Sequence, residues 1–126
     1  MVSLLPNRPI ILGHRGASAH APENTMAAFQ HAIDCGADGI EFDVKLTRDK
    51  EIIIIHDLTV NRTTNGKGKV KELTLEKIRE LDAGSHFSEK FRGEKIPLLK
   101  DVLVKMPPSF IINIELTNYN SMFDGL

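Results

Sequence analysis

The stretch GIEFDVKLTRDKEIIIIHD, residues 39–57, decides how this chain folds. Its opening alternates: Ile40, Phe42 and Val44 fall on one face of an extended strand, Glu41 and Asp43 on the other. Its end carries four consecutive isoleucines, whose branched Cβ atoms favour a strand. Too few residues separate the two for a parallel crossover, which takes about a dozen, so they form an antiparallel hairpin. With Asp49-Lys50 as a two-residue turn, the register sets Asp43 opposite His56 and Glu41 opposite Leu58, and two carboxylates meet a histidine on one face. Lys50 is the awkward residue, because such turns favour glycine at their second position. A bulge there would slide the register by one residue and turn His56 away.

On the N-terminal side, residues 10–12 form a short apolar run that Gly13 punctuates as a buried strand. Next comes a helix capped by Asn24 or Thr25, with Met26, Phe29, Ala32 and Ile33 at helical spacing and Gly36 closing it. On the C-terminal side, residues 57–97 are polar and rich in turns, and hold one short helix over 75–81. A second amphipathic helix over 98–106 lies between Pro97 and Pro107-Pro108. Residues 109–117, SFIINIELT, then alternate again, with Ile112, Ile114 and Leu116 on one face and Asn113, Glu115 and Thr117 on the other.

Composition narrows the function without naming it. The 126 residues are 41% hydrophobic, enough for one core and one domain over 1–126. Net charge is −1 and like charges are not clustered, so neither nucleic acid nor an anionic membrane is an expected partner. No run approaches the roughly 20 apolar residues of a membrane span. The single cysteine, Cys35, excludes an internal disulfide and suits core packing in a reducing compartment, so the expected location is cytoplasmic. His20, His31 and His86 lie in loop or helix contexts, and the N-R-T sequon at Asn61 stands without a secretion signal.

The strands and helices establish an α/β fold, and a barrel with its site at the C-terminal rim is one arrangement that fits them. Glu41, Asp43 and Glu115 would each direct a carboxylate inward. Such crowding is unfavourable unless a cation neutralises the charges or some stay protonated. An all-oxygen set favours Mg²⁺ or Ca²⁺, leaving positions for water or a substrate phosphate; the plainer alternative is solvated carboxylates on an edge strand. His14 and His56 end strands, where one could serve as base and the other as acid. Arg15 offers a planar fork that matches phosphate.

GHRG, PENT, GADGIEFDV, HD, RTTNGKG, LDAG, IPLL and INIEL follow one another in the order and at the spacing of the glycerophosphodiester phosphodiesterase family, which the chain resembles over residues 10–116. The resemblance implies a TIM (β/α)8 barrel of the phospholipase C-like phosphodiesterase type, with a small family insertion over 58–96. It implies hydrolysis of glycerophosphodiesters to glycerol 3-phosphate and an alcohol, in glycerophospholipid metabolism, with Mg²⁺ or Ca²⁺. His14 and His56 match the family's acid and base pair, Arg15 its phosphate-contacting arginine, and Glu41, Asp43 and Glu115 its metal ligands. Attack at phosphorus would come from water, or first from the neighbouring glycerol hydroxyl to give a cyclic intermediate. Asn24 reads as a helix cap. Asp57 could orient His56, although strand alternation would point it to the opposite face.

Two departures stand out. Thr117 occupies the position where the family often has lysine, in an E-I-K pattern. A whole barrel takes about 250 residues, so this chain reads as its first half. Open edges then imply either self-association or a missing C-terminal half. The alternatives are a phospholipase C-like or lysophospholipase D-like enzyme with the same histidines and metal, or a truncated, inactive half-barrel.

Overall fold

A computed structural model describes residues 7–116. Strand β1 (Leu12–His14), helix α1 (Met26–Asp34) and strand β2 (Gly39–Leu46) form a β-α-β unit, followed by the antiparallel strand β3 (Ile52–Ile54). After a long excursion come helices α2 (Leu75–Arg79) and α3 (Leu99–Lys105) and strand β4 (Ile111–Leu116). β2 lies between two parallel neighbours, since Gly39, Ile40 and Glu41 pair with Leu12, Gly13 and His14 on one side and with Ile111, Ile112 and Asn113 on the other. The C-terminal ends of β1, β2 and β4 therefore open in one direction.

The alternation of β2 divides its two roles. Ile40, Phe42 and Val44 are buried in a core with Phe29 and Ala32 of α1, Ile54 of β3, and Val102 and Met106 from the α3 segment. The rings of Phe29 and Phe42 lie 5.5 Å apart, and each such buried side chain contributes about 1.5–3 kcal/mol by leaving water. With that face committed to the helices, Glu41 and Asp43 must face the other way.

The excursion has a core of its own. Val60, Val70, Ile78, Ala83 and Ile96 pack with Ile53 and Ile55, whereas Ile54 belongs to the first core. The four-isoleucine run thus serves both clusters by alternation. Elsewhere the excursion is tied by short polar links: Asn61 Oδ1 accepts from Gly68 N at 2.9 Å, Asn65 Oδ1 from Asp82 N at 2.9 Å, and Asp82 Oδ1 from Gly84 N at 2.8 Å.

Four local expectations are corrected. The first strand covers Leu12–His14, not residues 10–12, because β2 starts at Gly39 opposite Leu12; Ile10 and Ile11 are left exposed. In the hairpin, Lys50 adopts a left-handed φ of 67° and Thr47 holds the turn, its N–H donating to Glu51 O and its hydroxyl to Asp49 Oδ1. That is a bulged turn, and it moves the register by one residue, so Val44 faces Ile54 and the expected pairing of Asp43 with His56 does not occur. Thr25, not Asn24, caps α1, accepting from Ala28 N at 3.2 Å. Cys35 is exposed at the α1 C-cap, beyond the last buried turn, and does not fill the core. The helices over 75–81 and 98–106 form within those limits, and Thr117 lies outside the described residues.

Candidate active site

Three carboxylates meet at the open end of the sheet. Asp43 and Glu115 are register partners on β2 and β4, and Glu41 lies two residues before Asp43 on the same face. Glu41, Asp43 and Glu115 each present an oxygen within 4.8 Å of the others. Asp43 is only 1% exposed, and both its Oδ2 and the Oε1 of Glu41 are buried without a hydrogen-bond partner. Burial, and then the Asp43 charge, raise the Glu41 carboxyl above the ordinary range; His14 draws it down and Glu115 adds to the rise. Buried oxygens without donors, converging from adjacent strands, fit a hard divalent cation such as Mg²⁺ or Ca²⁺.

Strand pairing sets His14 and Arg15 beside this cluster. His14 is the register partner of Glu41, and the next backbone N–H, that of Arg15, donates to Glu41 O at 2.7 Å. Arg15 has a left-handed φ of 57°, so the chain turns there and the guanidinium comes back over the sheet end, with Nε 3.7 Å from Asp43 Oδ2. Arg15 Nη1 donates to Glu23 Oε2 at 3.1 Å. Asn24 follows in a left-handed turn of its own, its N–H donating to Arg15 O at 2.8 Å; its buried carboxamide has no hydrogen-bond partner.

His56 lies two residues beyond the end of β3, next to the residue whose N–H bonds to the backbone of Asp43. The ladder ends at Ile54, Ile55 N donates to Asp43 O at 3.0 Å, and the chain then bends away from strand geometry. Alternation therefore does not bind Asp57, which folds back so that its Oδ1 lies 2.8 Å from His56 Nδ1. Hydrogen bonds from Arg62, then from His56, hold the Asp57 carboxyl down at about 2 against the effect of burial. At neutral pH it is thus a carboxylate, able only to accept, so the neutral imidazole carries its proton on Nδ1 and keeps Nε2 as a free base.

Sequence reasoning missed three participants. Lys45 continues the face of Glu41 and Asp43 and is 5% exposed; burial lowers its ammonium against the pull of Asp43, Glu115 and Asp57. The same period of two that located the carboxylates would have found it. Glu23 and Arg62 sit inside the PENT and RTTNGKG segments, yet they meet across 39 residues, a pairing with no local signal.

Three parallel strands that bring three carboxylates, a histidine and an arginine to one end form an α/β site suited to holding a metal ion and an anion. The profile of the Glycerophosphoryl diester phosphodiesterase family matches residues 14–124, and the chain belongs to that family. It is 49% identical over 120 residues to the glycerophosphodiester phosphodiesterase of Caldanaerobacter subterraneus subsp. tengcongensis, covering 94% of this chain and 49% of that one. Its fold superposes on the crystal structure of the Agrobacterium tumefaciens glycerophosphodiester phosphodiesterase with a TM-score of 0.84 at 42% identity, over 86% of this chain and 47% of that chain. An Oleispira antarctica phosphodiesterase in complex with the product sn-glycerol-3-phosphate matches with a TM-score of 0.79 at 36% identity, over 86% and 44%. The fold is thus of the TIM-barrel type, and the chain spans about half the length of the relatives it matches. Among the described residues no helix is long and apolar enough to cross a membrane.

Proposed function

We propose that this chain carries the metal-dependent half of a glycerophosphodiester phosphodiesterase site, hydrolysing a glycerophosphodiester to glycerol 3-phosphate and an alcohol. The observation that carries the reading is the convergence of Glu41, Asp43 and Glu115 within 4.8 Å, next to Arg15. These carboxylates would hold one Mg²⁺ or Ca²⁺, which when bound supplies positive charge to the phosphoryl oxygens. Arg15, steadied by Glu23, donates to the phosphate from the side of Asp43. His56, held by Asp57 through Nδ1, accepts at Nε2 the proton of the attacking water, or first that of the neighbouring glycerol hydroxyl, whose cyclic phosphate water then opens to glycerol 3-phosphate. His14, beside Glu41, returns a proton to the departing alkoxide. Residues 58–96 act as the insertion that walls this site, and the reaction belongs to glycerophospholipid metabolism in the cytoplasm. Leu116 on β4 is 64% exposed and Ile11 beside β1 61%, which supports a second copy or further barrel chain covering these edges.

The test is release of glycerol 3-phosphate from glycerophosphocholine by the purified chain with Mg²⁺ or Ca²⁺. Release that a chelator stops, and that His14→Ala lowers by a factor of about 100 or more, is the expected result. A folded, metal-loaded chain inactive on every glycerophosphodiester, at concentrations where sedimentation shows association, would sink the proposal for this chain. Accumulation of a stable cyclic phosphate would instead assign it to the phospholipase C-like class.

A further inference from the structure

Arg62 sits in the turn that opens the excursion, and its side chain is half exposed. A surface ion pair of this kind usually adds less than about 1 kcal/mol to stability. Its geometry is unusual for a merely structural pair. Nη1 and Nη2 donate to Oε1 and Oε2 of Glu23 at 2.8 and 3.0 Å, while Nε and Nη2 donate to Oδ2 and Oδ1 of Asp57 at 2.9 and 3.0 Å. One guanidinium thus grips two carboxylates with both edges of its fork. Each carboxylate is shared onward: Glu23 Oε2 accepts from Arg15 Nη1 at 3.1 Å, and Asp57 Oδ1 pairs with His56 Nδ1 at 2.8 Å. Burial raises the Glu23 carboxyl, but Arg62 and then Arg15 together bring it below its ordinary value.

We propose that Arg62 is a positioning residue that sets, through Glu23 and Asp57, the orientation of both Arg15 and His56. The inference rests on the proposed roles of those two side chains, but not on turnover by this chain. Without Arg62, Glu23 has both oxygens free to chelate Arg15 and draw its fork away from Asp43. Asp57 in turn loses the two donors that hold its Oδ1 against His56 Nδ1. Lysine cannot substitute, because a single ammonium lacks the fork needed to reach both carboxylates at once.

The experiment combines two readouts on the whole chain. Nitrogen-15 NMR of the imidazoles reports which ring nitrogen of His56 is protonated, and calorimetry with sn-glycerol 3-phosphate in Ca²⁺ reports the anion site. Wild type should show the Nδ1–H tautomer alone. Arg62→Ala and Arg62→Lys should both give mixed tautomers and bind sn-glycerol 3-phosphate roughly 10-fold more weakly, the loss expected for one charged hydrogen bond displaced, with the circular dichroism spectrum unchanged. Methylguanidinium added to Arg62→Ala, but not to Arg62→Lys, should restore the tautomer. A pure Nδ1–H tautomer together with wild-type binding in either variant overturns the proposal. A wild type that fails to bind sn-glycerol 3-phosphate, while the His56 tautomer still follows Arg62, supports the positioning role and overturns the functional reading alone.

Discussion

Two apolar cores among the described residues differ in their principles of construction. The first, around Phe29, Phe42 and Val102, is made by regular elements: a central strand with helices on one face. The second, around Val60, Val70 and Ile78, is made mostly by turns whose backbone groups are satisfied by asparagine, aspartate and threonine side chains, such as Thr64 Oγ1 donating to Val60 O at 2.6 Å. The first supplies the carboxylates; the second supplies Arg62. Regularity places groups that must converge from neighbouring strands, whereas irregular backbone reaches a position that no strand register offers.

The largest loss of stability is expected in the first core. Phe42 is 0% exposed at its centre, and Phe42→Ala should cost about 3–5 kcal/mol, read as loss of cooperative unfolding midpoint in urea. Ile78→Ala removes an equally buried side chain from the second core and should cost about 2–5 kcal/mol. Among the described residues the cores meet along the Ile53–Ile55 run and at Leu98–Leu99, so hydrogen exchange in Ile78→Ala should accelerate in residues 58–96 before the amides of β2. Equal acceleration in β2 would make the two regions one cooperative unit.

The helix caps sharpen the contrast. Thr25 is buried, accepts from Ala28 N and donates to Pro22 O at 2.7 Å, so Thr25→Ala should lower stability by about 1–2 kcal/mol. Thr74 caps α2 through a longer 3.4 Å contact in an exposed setting, and Thr74→Ala should cost about 0.5 kcal/mol. Equal losses in thermal melts would mean that burial does not separate the two regions. Lys50→Gly should stabilise by about 0.5–1 kcal/mol by relieving a left-handed φ of 67°; a destabilised variant would show that the lysine side chain holds the turn.

Acid should act least, and through the second region. The Asp57 carboxyl is depressed to about 2 from an ordinary 3.8, so its stabilisation is complete above about pH 4 and is lost as the pH falls through about 2. Solvent screening keeps the effect below about 1 kcal/mol. Asp57→Asn should flatten the stability profile in that window, and a profile as steep as wild type would assign the loss to other carboxylates.

What is legible in the sequence follows the same division. The alternation of Ile40, Phe42 and Val44 against Glu41 and Asp43 revealed the strand, its buried face and the acidic face, because a period of two is a local property. The same logic located Glu115, and helical spacing located α1. The hairpin register could not be settled, since it depends on one residue, Lys50, taking a left-handed conformation. The link from His56 to Asp57 was obscured because alternation applies only while the ladder lasts, and it stops at Ile54. Arg62 meeting Glu23 is a property of the folded excursion, with no periodicity to announce it.

The division of the isoleucines also bears on motion. Ile54 is fixed in one core while Ile53 and Ile55 are fixed in the other, and Ile53 is bridged to Leu98 just ahead of α3. A segment anchored at both of its ends to the same strand cannot swing over a ligand as a hinged lid without pulling that strand apart. The excursion is therefore a fixed part of the fold, and on the proposed reading a substrate should meet a mouth whose shape is set before it arrives.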